Sequence, residues 1–141
     1  MPSNPILPGV SGIVHAASDM TMDPDPVNVI SPMIAGTLNL LNAAAKQPAV
    51  KRFVLTSSCA AAASPQPGVA RTIDTTTWNT DASREAWAPP PYAAERGFSV
   101  YAASKMEMER GAWTWHGQHN PHFVLNTGQS SGNCHPCCCL F

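Results

Sequence analysis

The sequence predicts an α/β fold with a parallel β-sheet, because three short apolar segments alternate with two helical patterns. Continuous apolar runs of this length indicate strands that are buried on both faces of a parallel sheet. Strands joined through helices favour right-handed βαβ crossovers. Each run is followed by a hydroxyl side chain, and these would meet at the carboxyl edge of the sheet, where open parallel sheets bind ligands. The runs are residues 13–17, 53–56 and 122–126, and the hydroxyl residues are Ser18, Ser58 and Thr127.

The first helical pattern covers residues 27–46 and separates the first two strands. Asp25 can cap this helix and Pro26 suits its first position, because proline there loses no intrahelical hydrogen bond. Pro32 falls within the pattern and predicts either a bend or a late start. Residues 12–58 therefore form one predicted βαβ unit.

The second helical pattern, residues 99–117, carries Tyr101 and Lys105. Residues four apart on a helix lie on one face, so an ammonium group would lie beside a phenol. A nearby positive charge favours the ionised form of a phenol. Tyrosine in this setting can give a proton to a carbonyl oxygen or take one from an alcohol. The same spacing also arises by chance on helices without any catalytic role.

The long segment between the second strand and this helix, residues 59–98, shows no strong periodicity. Its tryptophans and prolines predict a partly ordered excursion from the sheet. Loops of this length inside a domain are usually functional or disordered.

Five short motifs occur in an order that resembles the extended short-chain dehydrogenases/reductases, the superfamily of the NAD-dependent epimerases and dehydratases. Within that superfamily the chain is most similar to the dihydroflavonol-reductase-like aldehyde and ketone reductases of fungi and plants. The resemblance covers roughly residues 9–127. The motifs are His-Ala-Ala-Ser at 15–18, Gly-Thr-Leu-Asn-Leu-Leu at 36–41, Val-Lys-Arg-Phe-Val-Leu-Thr-Ser-Ser at 50–58, Trp-Asn at 78–79 and Tyr-x-x-x-Lys at 101–105.

The resemblance implies a partial Rossmann-like, doubly wound parallel sheet over residues 1–127, and reduction of an aldehyde or ketone. Tyr101 would protonate the carbonyl oxygen, Ser58 would orient it, and Lys105 would bind the nicotinamide ribose. Ser57 competes with Ser58, which is preferred because the second serine of Thr-Ser-Ser aligns with the catalytic one in the family. The implied cofactor is NADPH, with NADH as the alternative. The implied cofactor contacts are Ala16, Ala17, Ser18, Thr56, Ser57, Tyr101 and Lys105.

The chain departs from the family pattern at both ends. No Gly-x-x-Gly-x-x-Gly or Gly-x-Gly-x-x-Gly follows a strand, so the loop that cradles the cofactor pyrophosphate is missing from this sequence. The expectation is therefore a central fragment of a reductase, weakly active or inactive by itself. Residues 128–141 match nothing in the family and hold four of the five cysteines. We expect this cysteine-rich tail to be disordered.

Two other functions remain open at this stage. His116, His119, Cys134 and Cys137 have the donor types of a small zinc module. A non-catalytic Rossmann remnant is the second alternative, and its exposed sheet edges would favour association.

The remaining expectations concern partners and location. A net charge of −1 gives no electrostatic basis for binding nucleic acid. No apolar run approaches the roughly 18 residues that span a membrane, and no signal-peptide pattern opens the chain. We expect a cytoplasmic protein with a small carbonyl substrate. The resemblance implies a homodimer through the helices at 27–46 and 99–117.

The zinc alternative can be tested directly. We expect the purified chain to hold no stoichiometric zinc, because the run of three cysteines at 137–139 is poor ligand spacing. Metal content by mass spectrometry and circular dichroism before and after chelation measure this. One equivalent of zinc, lost together with secondary structure on chelation, would contradict the expectation.

Overall fold

A computed structural model describes residues 7–130 as a three-stranded parallel sheet in the order β1-β2-β3, with helices packed against it. This confirms the predicted α/β, partial Rossmann-like fold. The register pairs Ile13 with Phe53 and Phe53 with Leu125. The elements are β1 (Gly12–His15), α1 (Pro26–Ala45), β2 (Arg52–Ser58), α2 (Thr80–Ala86), α3 (Gly97–His119) and β3 (Val124–Ser130).

The start of α1 is set by its own sequence. The Asp25 side chain accepts a hydrogen bond from the Val27 backbone N–H at 3.0 Å, and Pro26 occupies the first turn. The cap satisfies one of the N–H groups that a helix start leaves unpaired. Pro32 lies inside the helix, which neither starts late nor divides there. Of the two expectations for Pro32, the late start is therefore wrong.

The core lies between one face of the sheet and the helices α1 and α3. Strand residues with odd numbers face this core, and their helix partners come from both helices. The principal members are Ile13, Phe53, Leu55, Leu125, Leu41, Ala44, Met108, Ala112 and Trp115.

The opposite face of the sheet is open among residues 7–130. Val14 is 70% exposed and Val124 is 54% exposed. The prediction that the strands are buried on both faces is wrong for this part of the chain. An apolar run shows that a strand is suited to burial, but it does not show whether the covering element lies in the same segment.

The excursion between β2 and α3 is tied to the end of β2 by Asn79. Its buried Nδ2 donates to the Ala60 carbonyl at 2.8 Å and to Ser64 Oγ at 2.9 Å, while Oδ1 accepts from the Ala82 N–H at 3.2 Å. The last bond caps α2. The sequence did not predict α2, because its seven residues are too few to show a helical period.

Helix α1 also corrects the expectation about apolar runs. Its 20 residues, with a mean hydropathy of 1.2, are long and apolar enough to span a membrane by length and composition. The core helix of a soluble protein and a signal sequence pass the same test. In α1, 28% of the most apolar stretch is buried within the fold, and Ile30, Leu41 and Ala44 are among its buried residues.

Strand β3 continues beyond the predicted domain limit at 127. Residues 128–130 pair with Thr56, Ser57 and Ser58, so they belong to the sheet rather than to the tail. Thr127 consequently lies within β3 and not at its carboxyl end. Two of the four candidate zinc ligands, Cys134 and Cys137, lie outside the described residues.

The two histidines of the zinc alternative are engaged in the fold. His116 Nε2 lies 3.3 Å from the Phe123 carbonyl oxygen, and His119 Nδ1 lies 2.9 Å from that of Trp115. Within residues 7–130 no group of three or more potential ligands could hold a metal ion.

Gly97 permits a close approach at the start of α3. A Cβ on Gly97 would overlap the backbone oxygen of Met22, which itself has a φ of 57°. We expect Gly97→Ala to lower the free energy of unfolding by about 1–3 kcal/mol, because the helix or the loop must move. Denaturant unfolding followed by circular dichroism measures this.

The matched control is Gly117→Ala near the other end of α3. A Cβ there meets nothing within 4 Å, so the change should be neutral or stabilising, as for glycine to alanine in a helix. If Gly97→Ala unfolds at the same denaturant concentration as the parent, the close approach of Gly97 to Met22 does not contribute to stability.

Candidate functional site

The carboxyl edge of the sheet holds a cavity of about 570 Å³. This volume lies within the roughly 300–1,000 Å³ of small-molecule sites. The segment after β1, the end of β2 and the first turns of α3 form its walls. Its lining residues are Ala16, Ser18, Met20, Thr56, Ser57, Ser58, Cys59, Ala60, Pro65, Phe98, Tyr101 and Lys105.

The fold brings together seven of the eight candidate site residues from the sequence. Ala17 is the exception, because it is exposed and does not line the cavity. Thr127, which we expected at the same edge, instead lines a separate cavity of about 190 Å³ with Glu109 and two tryptophans. The long excursion contributes Pro65 to the main cavity, which places its beginning beside the site.

Lys105 is almost fully buried at the base of this cavity, with 3% of its surface exposed. Its Nζ donates a hydrogen bond to the Thr56 carbonyl at 3.2 Å. Burial lowers the pKa of Lys105, because desolvation disfavours the charged form. An ammonium carries three donors, so two remain for a ligand once Thr56 is satisfied. In the described part of the chain no carboxylate forms an ion pair with it.

Tyr101 lies one helical turn before Lys105 and borders the cavity. Its ring packs on Phe98, with 6.2 Å between ring centroids, and against a buried cluster of three alanines, Ala60, Ala82 and Ala102. The phenol is therefore held by apolar contacts along its ring, with its side chain only partly exposed.

The two serines at the end of β2 have different hydrogen-bond partners. Ser57 Oγ donates to the carboxylate of Glu109. Ser58 Oγ instead accepts from the Ala60 N–H at 3.2 Å and caps the 3₁₀ turn Cys59–Ala61. Since that bond uses a lone pair, the hydroxyl hydrogen of Ser58 remains free to be donated.

Sequence reasoning missed two polar residues beside the site. Glu109 lies one turn beyond Lys105, and the i, i+4 spacing that singled out Tyr101 and Lys105 could have identified it. His15 ends β1, and its Nε2 lies 3.0 Å from Thr37 Oγ1. Burial, and secondarily the charge of Lys105, lower the pKa of His15. Both effects favour the neutral imidazole.

Comparison with curated proteins finds fungal reductases and related proteins over most of the chain. It is 44% identical over 122 residues to the NAD-dependent epimerase/dehydratase terH of Aspergillus terreus, covering 86% of this chain and 36% of that protein. It is 41% identical over 122 residues to aldehyde reductase 2 of Sporidiobolus salmonicolor, with the same two coverages. The chain thus spans about a third of the length of the curated relatives it matches.

Known structures show the same fold. A reductase engineered to attenuate substrate inhibition superposes with a TM-score of 0.68 at 28% identity, over 85% of this chain and 36% of the other. Gre2 of Candida albicans, in complex with NADPH, gives 0.66 at 26% identity, over 84% and 35%. Finally, residues 8–127 match the NAD dependent epimerase/dehydratase family, and the chain belongs to that family.

Proposed function

We propose that this chain carries the catalytic segment of an NAD(P)H-dependent carbonyl reductase that acts on a small aldehyde or ketone. The main support is the joint lining of one cavity by Tyr101, Lys105 and Ser58 at the carboxyl edge of a parallel sheet. The names of two relatives agree with this chemistry. Aldehyde reductase 2 is 41% identical to this chain, and the ketoreductase adrE of Penicillium rubens is 40% identical to it.

In this proposal, two hydroxyls act on the substrate oxygen. Ser58 donates its free hydrogen to the carbonyl and stabilises the negative charge that develops there. Tyr101 gives the proton that completes the alcohol. When bound, the nicotinamide cofactor supplies the hydride that the carbonyl carbon accepts.

The residues present fit the nicotinamide end of such a cofactor. Lys105 has spare donors for ribose hydroxyls, and the short side chains of Ala16 and Ser18 leave room for close approach beside it. Thr56 and Ser57 line the same wall. We propose NADPH as the cofactor, on the similarity to a Gre2 that was crystallised with it. NADH is the alternative.

The cellular setting is part of the same proposal. We propose a cytoplasmic protein, with no nucleic acid and no membrane among its partners. A homodimer through α1 and α3 is also proposed. Within the chain these two helices already pack against each other, with Ile34 next to the position of Gly111.

A second candidate is a non-catalytic remnant that acts by association. The exposed face of the sheet, with Val14 and Val124, favours it, because exposed apolar surface promotes contact with other chains. This alternative predicts no turnover in any context.

We expect this 141-residue chain by itself to bind NADPH weakly. Dinucleotides are held chiefly at the pyrophosphate by backbone donors of a glycine-rich loop, which this sequence does not contain. Two or three lost charge-assisted hydrogen bonds, at roughly 1.5–3 kcal/mol each, weaken binding by several powers of ten. Calorimetric titration with NADPH measures the affinity, and a micromolar dissociation constant would contradict this expectation.

The catalytic proposal is tested in a chimera. Residues 8–127 replace the matched segment of aldehyde reductase 2 of Sporidiobolus salmonicolor, and aldehyde-dependent oxidation of NADPH is followed by absorbance. We expect turnover, and a loss of about 10²–10⁴-fold in kcat/KM in the Tyr101→Phe variant, since the proton donor is removed.

Tyr92→Phe is the matched control for that chimera. It changes the other tyrosine of the chain, which is exposed and lies beside Arg96 rather than at the cavity. Its kcat/KM should equal that of the parent chimera. If Tyr101→Phe stays within a few-fold of the parent while both proteins are folded by circular dichroism, Tyr101 is not the proton donor.

A further inference from the structure

We propose that Glu109 is a positioning residue, which engages the hydroxyl hydrogen of Ser57 so that, of the two serines, only Ser58 has a hydroxyl hydrogen to donate to the substrate. The inference rests on the proposed carbonyl reduction. It adds a residue for which neither the sequence motifs nor the family comparison supplied a role.

Helix α3 is tethered to the end of β2 at two consecutive residues. Lys105 Nζ bonds the Thr56 carbonyl at 3.2 Å, and one turn later the Glu109 carboxylate accepts from Ser57 Oγ. Residues four apart lie on one helix face, so both tethers point the same way. Tyr101, Lys105 and Glu109 thus form one line of polar side chains along the side of α3 that faces β2.

The burial of this carboxylate argues for a specific role. Glu109 is 4% exposed, Ser57 is 1% exposed, and within residues 7–130 no cation forms an ion pair with Glu109. A buried carboxylate without a cationic partner is costly and needs hydrogen bonds. Packing alone would be served better by an apolar side chain, as at the neighbouring Met106 and Met108.

The tether decides which serine can act on a substrate. The hydrogen of Ser57 is committed to Glu109, so Ser57 cannot also donate it to a carbonyl oxygen. Successive side chains of a strand point to opposite faces. Fixing Ser57 against Glu109 therefore leaves Ser58 on the other side of the strand end, where its Oγ accepts from the Ala60 N–H and its hydrogen stays free.

The Ala60 N–H provides a local reporter of this geometry. It donates to Ser58 Oγ at 3.2 Å, so its protection from hydrogen exchange depends on the Ser58 rotamer. The Val27 N–H makes the same kind of bond to Asp25 at the start of α1 and serves as the reference. Both are read by NMR on the intact chain, with neither cofactor nor substrate.

We expect Glu109→Ala to raise the exchange rate of the Ala60 amide by roughly tenfold beyond the change at the reference amide. Ser57→Ala should do the same, and the double variant should add nothing further. Glu109→Gln keeps an oxygen that accepts from Ser57, so it should restore most of the protection.

Thr37→Val is the matched control. It removes another helix-to-strand hydrogen bond, the partly buried one between Thr37 and His15 at the end of β1. It should destabilise the fold without a specific effect at Ala60.

The proposal is overturned if Glu109→Ala changes Ala60 no more than Thr37→Val does, or if Glu109→Gln behaves like Glu109→Ala. Should Glu109→Ala fail to fold, Ser57→Ala tests the proposal in its place, by the same comparison of Ala60 exchange with Thr37→Val. The exchange experiment measures no turnover, so a negative result contradicts only the role of Glu109. The proposed carbonyl reduction is tested separately by the chimera.

Discussion

The contact of α3 with the end of β2 is the interaction on which the site depends. It places Tyr101, on the helix, and Ser58, at the end of the strand, on the walls of one cavity. Leu55 of β2 and Met108 of α3 belong to one buried apolar cluster, and this burial stabilises the packing of helix on sheet. The polar part of the contact, from Lys105 and Glu109, fixes the position of the strand end relative to the helix.

The polar groups in this contact oppose stability while they define the site. Lys105 and Glu109 are both buried without an ion-pair partner in the described part of the chain. Burying a polar or charged group without an ion-pair partner costs free energy of folding. Burial lowers the pKa of Lys105, because desolvation disfavours its charged form. The surrounding core must offset this cost, and the fully buried side chains of Phe53 and Met106 contribute to that.

The second feature that shapes this part of the chain is the exposed face of the sheet. Val14 and Val124 face outward, and no helix among residues 7–130 covers them. Parallel sheets are normally covered on both faces. The curated relatives are about three times as long as the matched segment.

Local interactions were determined by the sequence itself. The Asp25 cap, the order of strands and helices, and the i, i+4 relation of Tyr101 and Lys105 all depend on residues within a few positions of one another. Local spacing restricts the conformations so strongly that these features could be predicted without the fold. Helix α1 begins and ends within one or two residues of its predicted limits. Helix α2 was not predicted, because it is too short to show a helical period.

Only the tertiary structure decided the features that join distant parts of the chain. Ser57 and Glu109 are 52 positions apart, and no local pattern indicates that they meet. The same holds for the exclusion of Ala17 from the cavity and for the burial of one sheet face rather than two. These outcomes depend on how the helices pack across the sheet. The sequence determined which chemical groups reach the carboxyl edge, and packing determined which of them face the cavity.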